Sequence, residues 1–145
     1  MGVSFDNDLN YYMVTEHVQR GSLYKILHEE KIKLEDEKAF RLAKQIATSL
    51  HYLHSKEILH CDLKSQNILL TSNWQVKLCD FGLSRYRKKK EEGQDARGKT
   101  GTPHWTAPEI LRGEPFEEAS DVYSFGVVLW EMLTGKVPFK ERSTP

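Results

Sequence analysis

Residues 60–70 read HCDLKSQNILL, a run in which an imidazole, a thiol, a carboxylate, an amine and two carboxamides precede an apolar stretch. NILLT (67–71) and WQVKLC (74–79) flank Ser72-Asn73, and Trp74, Val76 and Leu78 alternate, which predicts a β-hairpin. Asp80 stands at the hairpin exit, so the carboxylates of Asp62 and Asp80 and the side-chain carbonyl of Asn67 can converge on one mouth. Hard oxygen donors of this kind suit Mg²⁺, which keeps waters and shares its shell with substrate phosphates. Lys64, two residues from Asp62, would meet a phosphate oxygen as a point charge. One carboxylate then remains to orient a hydroxyl and accept its proton.

The rival chemistry is a transition-metal site at His60, Cys61 and Asp62. Adjacent side chains diverge in an extended loop, and zinc asks for about four ligands at wider spacing. His51 and His54, near the end of a helical stretch, read as surface groups or partners of the helix C-terminus. Cys79 beside Asp80 is either a thiol in a ligand pocket or, the blander reading, a small hydrophobe at a strand end. RKKK (87–90), followed by Glu91 and Glu92, reads as a solvated face, and Trp74, Trp105 and Trp130 read as packing residues.

These residues need elements to hold them. YYMVT (11–15) is aromatic and β-branched and gives way to QRGS, which predicts a strand ending in a glycine turn. Ser22 is placed to cap a helix over SLYKILHEE. A longer helix follows the KIKLED connector, with Ala39, Leu42, Ala43, Ile46, Leu50 and Leu53 recurring at three and four. The polar, Gly-rich stretch from Asp80 to about Pro103 is longer than an ordinary connection and predicts a functional or disordered loop. Beyond it, Ser120 or Asp121 starts an apolar helix through Met132, stopped by Gly135 and Pro138.

The chain of 145 residues balances 21 Lys and Arg against 21 Asp and Glu. A zero formal charge argues against bulk attraction to nucleic acid or an anionic membrane. Two cysteines without C-x-x-C spacing argue against a disulfide framework and fit a reducing, cytoplasmic setting. The opening MGVSFDNDLN has neither a basic nor an apolar signal region, and VYSFGVVLWEML is too short to span a bilayer.

HCDLKSQN, DFG (80–82) and APE (107–109), in that order, resemble the catalytic loop, magnesium loop and P+1 boundary of protein kinases. GTPHWTAPEIL and SDVYSFGVVLWEMLTGKVPF continue the match, and VTEHVQRGSL resembles the hinge after the gatekeeper, so the resemblance covers nearly the whole chain. The wording is most similar to the tyrosine-kinase-like group of Ser/Thr kinases. It implies an α+β fold: a mostly helical C-lobe with a short hairpin and remnants of the N-lobe sheet. Residues 1–18 would close the N-lobe and form the hinge, and residues 19–145 an incomplete C-lobe.

By that resemblance Asp62 is the catalytic base, Lys64 steadies the transferred phosphoryl group, and Asn67 and Asp80 hold Mg²⁺. Thr15 matches the gatekeeper, backbone groups of Glu16 and Val18 the hinge contacts to adenine, and Leu69 the floor beneath it, with Cys79 nearby. ATP and Mg²⁺ are the implied cofactors, and proteins with Ser or Thr acceptors the implied substrates, because Lys64 and Thr102 resemble the Ser/Thr-kinase pair. WTAPE (105–109) also occurs in tyrosine kinases, which keeps dual specificity open. His60 and Phe81 match the regulatory spine, Val128 and Met132 apolar positions of the catalytic spine, and Asp121 the anchor of the catalytic-loop backbone. Glu109 matches a residue that pairs with a later Arg, and is expected to lack that Arg here.

Two departures carry expectations. No Gly-rich phosphate loop, strand-three Lys or partner Glu occurs, so the chain is expected to be a fragment that starts inside the N-lobe and is inactive alone. The alternative is a non-catalytic interaction module. Cys61 stands where most relatives carry Arg, which grips a loop phosphate. Weaker dependence on phosphorylation at Ser84, Thr100 or Thr102 is the expected consequence.

Overall fold

The computed structural model describes residues 2–8, 10–86 and 102–140. RKKK at 87–90 and Thr100 lie outside the described residues. Two strands open the chain: β1 (Gly2–Phe5) pairs antiparallel with β2 (Tyr11–Val14), Gly2 opposite Val14 and Phe5 opposite Tyr11. Asp6 ties their turn together by accepting the N–H groups of Asp8 and Asn10 and the hydroxyl of Tyr12. Those hydrogen bonds, from Asn10 above all, hold its carboxyl down at about 2.

The chain then turns at Gly21, whose φ of +79° suits glycine. Arg20 N–H donates to Leu70 O at 3.1 Å and Leu70 N–H to Gly21 O at 2.9 Å, so this turn pairs with β4 (Ile68–Leu70). The next helical segment, Lys25–Glu29, is a π-helix, with Glu30 N–H reaching back to Lys25 O. Ser22 acts as expected, accepting the N–H of Lys25 at 3.2 Å.

The long helix α1 (Asp36–Ser55) buries Ala39, Leu42, Ile46 and Leu50, the face its periodicity predicts, while Ala43 packs at the edge. A short strand, β3 (Ile58–Leu59), leads into residues 60–67 and is covered by β6 (Arg85–Tyr86). The predicted hairpin forms between β4 and β5 (Val76–Leu78), with Ile68 opposite Leu78. Its second strand is shorter than WQVKLC. Trp74 is not in the strand but in the turn, at φ +61°, between the Arg20 guanidinium at 4.0 Å and the Lys38 ammonium at 4.2 Å. Gln45 of α1 clamps that turn, donating to Trp74 O and accepting from Val76 N–H.

After the short α2 (Pro108–Leu111), the last helix α3 runs Glu118–Thr134. It begins ahead of the predicted Ser120 because Glu117 forms a reciprocal capping box with Ser120. It stops at Gly135, left-handed at φ +66°. Val128 and Met132 of α3 join Leu23, Ile26, Leu42, Ile46, Leu63, Ile68 and Trp105 in one core. Burying each Leu or Ile stabilises the fold by about 1.5–3 kcal/mol. Trp130 departs from its packing role: it is 43% exposed and lines an apolar groove with Tyr123, Val127 and Phe139. Among the described residues no helix is long and apolar enough to cross a membrane.

Candidate active site

The loop after β3 is held from below by one carboxylate. Asp121, buried in the first turn of α3, accepts His60 N–H on Oδ2 at 2.9 Å and Cys61 N–H on Oδ1 at 3.0 Å. This fork fixes Cys61 at φ +65°, a conformation that costs a non-glycine residue on the order of 1 kcal/mol or more. His54 also bonds Asp121 Oδ2, at 2.9 Å. Its role as a surface group or helix-end partner is thereby corrected: it is a second ligand of the anchor.

The strained turn aims Asp62 away from the core. Asp62 Oδ2 lies 2.8 Å from Lys64 Nζ and accepts from Asn67 Nδ2 at 3.1 Å, while Oδ1 accepts the N–H of Thr102 at 3.3 Å. Lys64 Nζ also donates to the Thr102 hydroxyl at 2.8 Å. Four of the predicted residues therefore meet in one cluster, joining two segments 40 residues apart. Asn67 Nδ2 also donates to Asp62 O at 2.9 Å, which fixes the amide and leaves its Oδ1 outside these bonds.

Asp80 joins this cluster through the backbone. Cys79 N–H donates to Asn67 O at 3.0 Å, and the next residue, Asp80, is exposed with φ +62° and bonds Gly82 N–H at 3.4 Å. The exposed Asp80 carboxylate and the Asn67 amide oxygen, which takes no part in the bonds above, are hard donors of the kind that fits Mg²⁺ shared with phosphates. Among the described residues no three His, Cys, Asp or Glu side chains gather as a metal cage.

The His60 ring is buried, and its Nδ1 faces the Asp62 N–H at 3.4 Å. Burial lowers its pKa, with Asp121 and Asp62 pulling the other way. Phe81 lies beside it, ring centroids 5.2 Å apart, and is itself 47% exposed. Burial pushes the Cys61 thiol up to about 12, so it is uncharged at neutral pH despite the opposing pull of Arg85. Cys79, half-buried, is also shifted up by burial and by Asp80, and its thiol donates to Asn67 O at 3.4 Å. Neither is an activated nucleophile.

Thr15 and Glu16 are exposed just beyond β2, and the Glu16 carboxylate takes Lys77 Nζ of β5 at 2.7 and 2.9 Å. That ion pair draws the segment after β2 to the hairpin. Val18 O is occupied by Gly21 N–H at 3.3 Å, and Leu69 is half-buried where Ser22 bridges it. Glu109, matched by resemblance to a residue that pairs with a later Arg, accepts the Ser120 hydroxyl at 3.1 Å. Ser84, one candidate for phosphorylation, is half-buried and donates to His60 O at 3.1 Å.

Glu131 went unnoticed in the sequence. It is fully buried in α3 and accepts from His28, Ser65 and Trp105. Its signal was an acid between Val128 and Met132 on a helix face that is otherwise apolar.

The chain matches known proteins over most of its length. The family model for protein tyrosine and serine/threonine kinases matches residues 1–145. The chain is 46% identical over 132 residues to the probable serine/threonine-protein kinase SIS8 of Arabidopsis thaliana, covering 90% of this chain and 13% of that protein. It is 45% identical over 134 residues to the serine/threonine-protein kinase CTR1 of the same plant, covering 90% and 16%. The dual specificity protein kinase shkC of Dictyostelium discoideum is 44% identical over 129 residues, covering 88% and 26%.

Proposed function

The chain belongs to the protein tyrosine and serine/threonine kinase family, and from that premise we propose that its residues carry the catalytic-loop side of an ATP- and Mg²⁺-dependent protein kinase acting on Ser and Thr hydroxyls. The observation that supports this reading most is the cluster of Asp62, Lys64, Asn67 and Thr102. Asp62 orients the acceptor hydroxyl and takes its proton as the phosphoryl group transfers. Among the described residues its Oδ1 accepts a long bond from the Thr102 backbone, at 3.3 Å, and a carboxylate oxygen has a further lone pair for an incoming hydroxyl. Lys64 sits beside that carboxylate and supplies positive charge to the transferred phosphoryl oxygens.

Asn67 has two tasks. Its amide N–H groups hold Asp62 in one rotamer, and its carbonyl, with Asp80, provides hard oxygen donors for Mg²⁺. Bound Mg²⁺ neutralises charge on the nucleotide phosphates. Thr15, Glu16, Val18, Leu69 and Cys79 would line the adenine side, because the Glu16–Lys77 pair keeps hinge and hairpin together. The Lys64–Thr102 contact favours Ser and Thr acceptors. The name of the Dictyostelium relative makes tyrosine transfer the second outcome to assay.

The test is phosphoryl transfer from labelled ATP by the full gene product, with Ser, Thr and Tyr acceptor peptides. Asp62→Asn should lower turnover by about 10²–10⁴-fold while sparing ATP binding. Undiminished transfer by that variant would refute the assignment. The 145-residue chain by itself holds no G-x-G-x-x-G stretch, and no measurable transfer is expected from it.

A further inference from the structure

Trp74 occupies a place in the hairpin turn that a tryptophan fills only at a cost. Its φ is +61°, in the left-handed region where a turn favours Gly or Asn. The backbone of the turn is tied without help from the ring. Trp74 N–H donates to Thr71 O at 2.9 Å, Thr71 N–H to Gln75 O at 3.0 Å, and Gln45 of α1 donates to Trp74 O at 3.2 Å. The indole, half-buried, instead meets two cations: the Arg20 guanidinium lies 4.0 Å and the Lys38 ammonium 4.2 Å from the ring centroid.

The two cations belong to different parts of the fold. Lys38 lies in the first turn of α1 and ties the hairpin to that helix. Arg20 lies in the turn that ends the segment assigned to the hinge: Gly21 N–H returns to Val18 O at 3.3 Å, Arg20 N–H donates to Leu70 O at 3.1 Å, and Leu70 N–H donates to Gly21 O at 2.9 Å. Ser22 then bridges Leu69. A few residues of backbone thus join Val18 to Leu69, and the Arg20 side chain braces them against the far end of the same hairpin. Arg20 Nε is buried and has no hydrogen-bond acceptor among the described residues, so the electron-rich face of the indole is the negative surface set against this guanidinium. A desolvated cation is costly unless something offsets it, and an aliphatic side chain at position 74 would not.

We propose that Trp74 is a positioning residue for the nucleotide: by holding the Arg20 guanidinium on its indole, it fixes the spacing between the hinge backbone at residues 16–18 and Leu69, the two surfaces that adenine would lie against. This rests on the kinase reading above. The exposed Glu16–Lys77 pair ties the start of that segment to the hairpin, and the Arg20–Trp74 contact ties its end. Without the brace the site samples more spacings, and the apparent affinity for ATP falls with the fraction of molecules that hold the right one. Asp62 and Lys64, which act on the acceptor and the phosphoryl group, stay where they are.

The experiment is a double-mutant cycle of Arg20→Met and Trp74→Leu in the full gene product, read as KM for ATP, KM for one acceptor peptide and calorimetric binding of ATP. Each single variant should weaken ATP binding and raise its KM about threefold or more, with the peptide KM unchanged. The double variant should bind no worse than the weaker single, because the second change removes a contact already lost. Arg20→Lys and Trp74→Tyr, which keep a cation and a ring, should recover most of the affinity. Lys38→Met takes the other cation from the same indole without touching the hinge turn, and should lower the melting temperature while leaving KM for ATP within about twofold. Single losses that multiply, or a Lys38→Met loss of ATP affinity equal to that of Arg20→Met, would overturn the proposal. Lower melting temperatures in Arg20→Met and Trp74→Leu with ATP affinity intact would mark a purely structural role and overturn it equally.

Should Trp74→Leu not fold, Arg20→Met decides the matter, with hydrogen exchange as a readout that needs no turnover. The Arg20 and Leu70 amides, which bond across the turn, should exchange faster in Arg20→Met than in the wild type, while the His60 and Cys61 amides held by Asp121 keep their protection. Unchanged exchange at Arg20 and Leu70, or an equal rise at all four amides, would refute the brace. A wild-type protein that binds no ATP refutes the kinase reading and this proposal with it. A wild type that binds ATP, with an affinity that Arg20→Met leaves unaltered, refutes the role of Trp74 alone.

Discussion

Lys64 donates to the hydroxyl of Thr102 at 2.8 Å across 38 residues of sequence. The same ammonium is 2.8 Å from Asp62, so one cation binds the carboxylate and the Thr102 segment together. Hydrogen bonds to charged groups contribute about 1.5–3 kcal/mol, and about 1.4 kcal/mol is a tenfold change in rate. Thr102→Ala should therefore lower kcat/KM for a Ser peptide about tenfold or more, while Thr102→Ser, which keeps the hydroxyl, should retain most of it. Lys64→Met should lose more than Thr102→Ala, because it also strips the charge beside Asp62. Steady-state kinetics with a fixed peptide check the order, and equal loss in the Ala and Ser variants would show that the hydroxyl is idle.

Asp121 is the support on which that geometry stands. Truncating it leaves the His60 and Cys61 N–H groups buried without an acceptor, and His54 without its partner. Asp121→Ala should cost about 3–5 kcal/mol, as breaking a buried charged contact does. Asp121→Asn keeps one acceptor oxygen and should cost less. His54→Ala leaves both backbone bonds in place and should cost least of the three. Urea unfolding gives the ranking, and a His54→Ala loss as large as that of Asp121→Ala would contradict it.

Burial of His60 makes stability depend on pH in one direction. Its folded pKa is lowered, so the unfolded chain takes up a proton below about 6.5 that the native state refuses. The unfolded state then binds more protons, and stability should fall as pH drops below about 6.5, by up to about 1.4 kcal/mol per pH unit for this one group. His60→Phe keeps a ring against Phe81 but cannot titrate. Melting curves between pH 5 and 8 should show a smaller acid loss in the Phe variant than in the wild type; parallel curves would exclude His60 as the source.

The fold was legible wherever a pattern was local. The i, i+3, i+4 spacing of Ala39, Leu42, Ile46 and Leu50 predicted α1, and the HCDLKSQN word holds Asp62, Lys64 and Asn67, whose side chains meet in the structure. The misread boundaries have physical causes. Trp74 sits in a turn, its indole against the Arg20 and Lys38 cations, and Glu117 caps α3 ahead of Ser120 and Asp121, where the sequence places the start. Partners distant in sequence were invisible: His54 meets Asp121 across 67 residues, and His28 meets Glu131 across 103. No periodicity encodes such pairs, because they exist only once α3 has packed against α1 and against the Lys25–Glu29 segment.

The two thiols should report this architecture independently of catalysis. Cys61 is 6% exposed and its pKa stands at about 12, so at pH 7.5 it is neither accessible nor ionised. Cys79 is half-buried and also shifted upward, yet it lies next to the exposed Asp80. Under native conditions iodoacetamide should modify Cys79 slowly and Cys61 hardly at all, and urea should bring both to similar rates. Addition of Mg²⁺ and ATP to the full gene product should protect Cys79, if that residue lines the nucleotide as proposed. The raised pKa of Cys61 carries a second consequence at alkaline pH. The unfolded thiol ionises from about 9 upward while the folded one stays protonated, so stability attributable to Cys61 should decline between about pH 9 and 12. Mass spectrometry of the alkylated peptides separates the two sites. Rapid native labelling of Cys61 would mean that the loop beneath Asp62 is open, and that the Asp121 fork does not hold it closed.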